Sequence, residues 1–333
     1  MPLIALLPCA VAAPSVTAKR EGTQFVFRAG DREIVRYQAE PAPLPRPDIR
    51  PEFQRGGYLF PLLTPSGNEV ADDYPPNHIH HHGVWWAWTK TSFAGTQPDF
   101  WNMGDRKGRV EFVSVDPPWE KDGAAGLTAR HRFVSLLSNP PAAVLNETWE
   151  LTVRASDEGR PRHIIDLTST QNCAGPEPLK LPKYHYGGLG FRGLRTWDGA
   201  ANCQFLTSEG ITDRVKGNTS TARWLWVGGP ARDGIAGITV LSHPSNFRSP
   251  QPLRLHPTEP FICFAPPQAG DMEIKPGAPY VSRYRLVIAD GRPEAAEINS
   301  WWDAFARATA APQPAPPATP SGDGKTESSP NRG

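Results

Sequence analysis

The chain has 333 residues, a formal net charge of +1, 38 prolines and 11 tryptophans. A near-neutral balance with no run of Lys or Arg excludes nucleic acid and anionic membrane surfaces as main partners. No apolar stretch reaches the roughly eighteen residues a spanning helix needs, which excludes integral membrane association through helices.

At the N-terminus, Leu3–Leu7 followed by Ala10–Ala13 has the apolar centre and small-residue end of a secretory signal, with Pro8 interrupting it and no positive segment before it. Residues 1–18 are therefore expected to form a leader, and the protein to be secreted or periplasmic, with a cytoplasmic location as the alternative. Beyond the leader, Gln24–Arg28 opens a series of short β-type runs. Pro41–Pro51 is an extended connector. Glu147–Arg154 alternates polar residues with Trp149, Leu151 and Val153, and Arg162–Thr170, Arg223–Val227, Ile235–Leu241 and Arg283–Ile288 are β-branched or aromatic runs. Strands arriving without helices between them rule against a parallel α/β sheet and predict a large antiparallel β-sandwich, all-β, over residues 19–309. One C-terminal helix is predicted over Pro293–Ala308, where Ile298, Trp301, Trp302 and Phe305 recur at helical spacing as a docking face. Residues 310–333 are rich in Pro, Ser, Thr and Ala and read as a disordered tail. Cys9, Cys173, Cys203 and Cys263 form no CxxC pair, which excludes a Cys-based zinc site.

Chemistry concentrates in one segment. Four of the nine histidines, His78, His80, His81 and His82, stand between Pro75-Pro76 and Gly83, and Trp85, Trp86 and Trp88 follow. On an extended backbone His78, His80 and His82 share a face, which makes them the candidate metal ligands; His81 points the other way. No second cluster completes a shell, so a divalent metal is the open cofactor, and a turn of solvated histidines is the competing reading. Asp72 and Asp73 lie just upstream, and a carboxylate there can orient an imidazole. A second segment, Lys180–Gly193, gathers Lys183, Tyr184, His185, Tyr186 and Arg192 around four glycines, with no phosphate-loop pattern. His243-Pro244-Ser245-Asn246 offers a possible rim, and Asp99-Phe100-Trp101-Asn102 an indole beside polar groups. The isolated His131, His163 and His256 read as structural.

Indole faces with Asn, Asp, His and Arg nearby are the chemistry of sugar recognition. The reading is thus a small-molecule or oligosaccharide ligand, a sugar or uronate. His80, His81 and His185 act as acid/base groups, and Asp73 orients one of them. His78, Trp85, Trp86, Trp88, Trp101, Lys183, Arg192, His243 and Asn246 contact the ligand. A non-catalytic glycan-binding module is a further alternative, and the oligomeric state is left open.

The runs Tyr58–Gly67, Asp73-Tyr74-Pro75, His78–Trp86, Tyr184–Arg192, His243–Asn246 and Tyr284–Ile288 together resemble the PmoA family, labelled methane oxygenase and also treated as a domain of unknown function. The resemblance spans Gln24 to Phe305; one departure is His82, where the family pattern has Arg before Gly. It implies a metal-dependent, oxygenase-like protein as the alternative function, although a membrane oxygenase subunit would need apolar helices. A weaker similarity, carried by Asn77–Gly83, Asp99–Trp101, Ile165–Ser169 and Lys275-Pro276-Gly277 with Tyr280, is to the galactose mutarotase-like supersandwiches. That similarity implies the sandwich more than the reaction, because Phe261–Pro266 lacks the base glutamate those epimerases carry near this position.

Overall fold

The computed structural model describes residues 14–308. Two large antiparallel sheets face each other, as the strand pattern predicted. The first runs, in spatial order, Val16–Glu21, Gln24–Ala29, Arg32–Gln38, Tyr58–Leu62, Val84–Ala87, Gly188–Arg192, Phe261–Phe264, Gln251–Leu255 and Thr221–Ala222. The second runs Gln204–Thr207, Trp224–Ala231, Gly234–Ser242, Tyr280–Asp290, Arg162–Cys173, Ala142–Ser156, Ala124–Ser135 and Gly108–Val115, with Trp119–Lys121 paired beside Ala124–Ser135. The first strand begins at Val16, inside the segment assigned to the leader. Val16 and Ala18 are buried, and the strand pairs in register with Gln24–Ala29, so residues 16–18 belong to the sheet. The rest of the leader, residues 1–13, and the tail from 309 onward lie outside the described residues.

Alternation sets the faces. In Ala142–Ser156 the side chains of Trp149, Leu151 and Val153 turn into the sandwich, as their period of two requires. Glu147 shares that inward phase and is 2% exposed. A buried carboxylate costs several kcal/mol unless it is paired. Here Ser169 and Gln171 donate to one oxygen at 2.6 and 2.8 Å, and His131 Nδ1 lies 3.0 Å from the other. His131 Nε2 in turn meets the Tyr37 hydroxyl of the opposite sheet at 2.7 Å. The hub ties the two sheets together, and His131 is structural, as is His163, whose Nδ1 bonds the Leu63 carbonyl.

The C-terminal helix spans Ala295–Arg307. Ile298 and Phe305 are buried against Leu206, Trp224, Trp226, Leu241 and Val287, each contributing about 1.5–3 kcal/mol. Trp302 donates to the Ser242 carbonyl, and Trp224 donates to Asn299. A one-turn helix, Arg214–Gly217, capped by Asp213, was not foreseen; it is too short to carry a periodic signal. Among the described residues no helix is long and apolar enough to cross a membrane.

The site depends on which face of the first sheet each residue takes. Trp86 and Phe264 point inward, against Tyr284 of the second sheet. Trp85, Gly190 and Arg192 therefore take the opposite, outer face, where loops cover them.

Candidate functional site

The histidine segment is not extended. Pro75-Pro76 opens one tight turn, with the His78 amide donating to the Pro75 carbonyl at 3.0 Å, and a second follows, with the His81 amide donating to the His78 carbonyl at 2.8 Å. Two successive turns bring positions i and i+3 to one side. His78 and His81 stack, with ring centroids 4.7 Å apart and 13° between planes. The expected face of His78, His80 and His82 does not form. His82 turns the other way, fully buried between the rings of Tyr58 and Tyr74, and donates through Nδ1 to Asp73 at 2.6 Å. Tyr58 donates to the other oxygen of Asp73. Asp73 thus orients His82 and none of the pocket histidines. Gly83 closes the segment because a Cβ there would lie 2.2 Å from the Leu59 carbonyl oxygen.

Three loops and the outer face of the first sheet enclose a cavity of about 250 Å³. His78, His80 and His81 line it from the turn, Trp101 and Asn102 from the loop after Trp88, and His185 and Tyr186 from the approach to Gly188–Arg192. Arg254, His256 and Phe261 complete the wall. Asp99 builds its corner: one oxygen accepts from the Trp101 and Asn102 amides, the other from the Asn102 side chain and Thr89. Gly190 lets the indoles lie against the sheet, since a Cβ there would meet Trp101 at 2.9 Å and Trp85 at 3.0 Å.

Four imidazoles of this pocket are held toward their neutral form. Burial, with the neighbouring His78 and His82 adding to it, brings His80 down to about 3. Burial lowers His81 well below the usual histidine value, and lowers His185 and His256 as well. Neutral imidazole is the form that accepts hydrogen bonds and binds metals.

Several expected contacts fall elsewhere. Trp85, Trp86 and Trp88 are all buried. Trp86 and Trp88 face the second sheet, where Trp88 donates to Gln171, and Trp85 sits behind His81 and Trp101. Trp86 and Trp88 share the inward phase and Trp85 is covered by loops on the outer face, leaving Trp101 as the one expected indole on the pocket wall. Arg192 is 0% exposed and cannot reach a ligand. It bridges Glu259 at 2.6 Å and Asp198 at 2.8 Å. Lys183 lines a neighbouring cavity of about 530 Å³ with Tyr184, His185 and Gln268, which meets the pocket at His185. His243 packs on Phe305 of the C-terminal helix, and Asn246 braces the backbone of Arg283; neither lines the pocket.

Sequence reasoning missed Glu259 and Arg254, noted Tyr186 without giving it a role, and took His256 for structural. Glu259 stands two residues before the segment searched for a base glutamate. It is 8% exposed and accepts from Asn77 at 2.9 Å. Burial opposes its ionisation, but the close His78 imidazole and the Arg192 guanidinium outweigh burial and hold its carboxyl at about 2. The available signal was His256-Pro257-Thr258-Glu259-Pro260, a proline-bounded turn placing imidazole and carboxylate three residues apart; His256 Nδ1 accepts from the Glu259 amide. One ligand atom each from His78, His81 and Glu259 lies within 4.8 Å of the others, so among the described residues these three could hold a metal.

Fold and site together define an antiparallel β-sandwich protein with a histidine-rich pocket on the outer face of one sheet. The family of unknown function DUF6807 matches residues 24–303, and the chain belongs to it. No match was found among the curated proteins.

Proposed function

We propose that the pocket binds a sugar acid and acts on it by acid/base chemistry. The observation that carries this reading is the convergence of His78, His80, His81 and His185 with Trp101, Tyr186 and Phe261 around one cavity. Its volume lies below the roughly 300–1,000 Å³ that accepts drug-sized ligands, so it suits one ring. The aromatic side chains offer faces to the apolar C–H side of that ring, and Asn102 and the imidazoles take hydroxyls. No carboxylate lines the cavity, whereas Arg254 does, and its hydrogen-bond partner is the neutral Asn218. A guanidinium without a carboxylate partner favours an anion, hence a uronate over a neutral hexose. Arg254 takes the anchoring role that Arg192 cannot. The cavity holding Lys183 accommodates the next unit of an oligosaccharide, with His185 between the two.

In this reading neutral His80 takes the proton from the carbon beside the ligand carboxylate, and His185, protonated beside the anionic ligand, delivers one as general acid. The reaction class is that of an isomerase or lyase. The test is calorimetric binding of glucuronate and galacturonate against glucose, followed by solvent deuterium uptake into the bound sugar acid. Wild-type protein is expected to prefer the uronates, Arg254→Met to lose that preference, and His80→Ala and His185→Ala to lose deuterium uptake. Equal binding by wild type and both histidine variants, with no preference for the acid, rejects the assignment.

The PmoA resemblance supports a second reading, a metal-dependent oxygenase-like protein. The specific observation in its favour is the pair of imidazoles and one carboxylate from His78, His81 and Glu259, the donor set of many non-haem iron oxygenases.

A further inference from the structure

We infer that His78, His81 and Glu259 form a binding site for one first-row transition-metal dication, with its open coordination positions facing the pocket. The three donors come from two segments far apart in sequence and converge within 4.8 Å. With bonds of about 2.1 Å, donors in a tetrahedral shell stand roughly 3.4 Å apart, so the widest pair closes by somewhat over an ångström, within reach of side-chain rotation.

Unmet hydrogen-bonding capacity marks the site independently. His81 is 3% exposed, yet its Nδ1 has no hydrogen-bond partner. A buried ring nitrogen left unpaired is costly unless a ligand supplies its partner. His78 Nδ1 lies 2.9 Å from a Glu259 oxygen, so imidazole and carboxylate already stand at the separation of two donors on one ion.

The surroundings fit a metal as well. Arg192 and Asn77 fix the Glu259 carboxylate, as outer partners do in metal sites. The Arg192 charge is offset by Asp198, so Arg192, Asp198 and Glu259 together leave one negative charge for the cation. His78 and His81 both line the cavity, so a ligand there can reach the ion. Two imidazoles and one carboxylate select zinc, iron(II) or cobalt(II) over calcium and magnesium, which prefer all-oxygen shells. His80 opens on the same cavity but stands outside the donor set.

The inference shares the pocket of the sugar-acid reading without depending on a sugar, and cobalt(II) alone tests it. Protein purified without a polyhistidine tag is stripped with chelator and titrated with cobalt(II), following the visible bands of a protein-bound ion. One equivalent is expected to bind wild type and His80→Ala alike. His78→Ala and His81→Ala are expected to bind roughly 100-fold more weakly, as loss of a direct ligand costs at least as much as loss of an outer partner. His78 is the half-exposed ligand, so its variant tests the site even if His81→Ala fails to fold, which circular dichroism reports. Wild type that binds no cobalt(II) below millimolar concentration overturns the inference, as does undiminished binding by His78→Ala. Uronate binding measured on the stripped protein separates failure of the metal site from failure of the sugar-acid reading.

Discussion

Arg192 separates two views of this site, because spacing in the chain marks it as a ligand anchor while the fold makes it a brace. Its side chain is fully buried and bridges two carboxylates, Glu259 with 10% of its side chain exposed and Asp198 with 34%. Arg192→Met removes the guanidinium and leaves both acids. The Glu259 side is nearly dry, and stranding a buried partner costs about 3–5 kcal/mol. The Asp198 side is a third exposed and solvent-screened, so its share is below ~1 kcal/mol. The sum is a large part of the roughly 5–15 kcal/mol that holds an ordinary domain folded. Arg192→Lys keeps the charge but not the fork, and one ammonium cannot serve both acids; losing one charge-assisted bond costs about 1.5–3 kcal/mol. The double variant Arg192→Met with Glu259→Met removes both members of the drier pair and recovers roughly 2–3 kcal/mol of the summed single losses. Urea unfolding at pH 7, followed by tryptophan fluorescence, measures wild type and the four variants, Glu259→Met alone included. If Arg192→Met unfolds within about 0.5 kcal/mol of wild type, the brace is refuted and the ligand-anchor view returns.

The far end of the sandwich gives a pH-dependent test. Asp290 of the second sheet accepts from Thr64, Asn68 and the Ser66 amide of the loop beyond Leu62. Burial raises its carboxyl, but these donors outweigh burial and lower it overall. A depressed folded value means that the stabilisation is complete above the unfolded value of about 3.9 and fades as pH falls through the folded one. Asp290→Ala should therefore cost about 1–3 kcal/mol at pH 7 and less at pH 3; a cost independent of pH contradicts the linkage. Gly190→Ala places a methyl group against both Trp101 and Trp85. It should cost about 1–3 kcal/mol by overpacking and displace the Trp101 wall, seen as a shift in tryptophan emission; wild-type stability and emission would show that the indoles do not press on this strand.

Two things were legible in the linear chain: the strands and the gathering of imidazoles in the histidine segment. Alternation in Glu147–Arg154 fixed which side chains enter the core, and the spacing of Ile298, Trp301, Trp302 and Phe305 located the helix within two residues at its start. Such signals are local, since the backbone period alone decides which face a residue takes. The same rule failed at His78–His82, because it assumed an extended backbone where hydrogen bonds close two turns. That change of conformation exchanged His81 for His82 on the pocket side.

What the amino-acid order determined by itself is an antiparallel sheet protein whose imidazoles gather in one proline-led loop. Only the tertiary structure decided that Glu259, nearly two hundred residues away, completes their cluster, that Arg254 rather than Arg192 faces the cavity, and that all four expected tryptophans are buried, with Trp101 alone touching the cavity. The reason is physical: strand period dictates which side of a sheet a side chain takes. Whether that side is open or covered depends on which distant strands become neighbours and which loops fold over them.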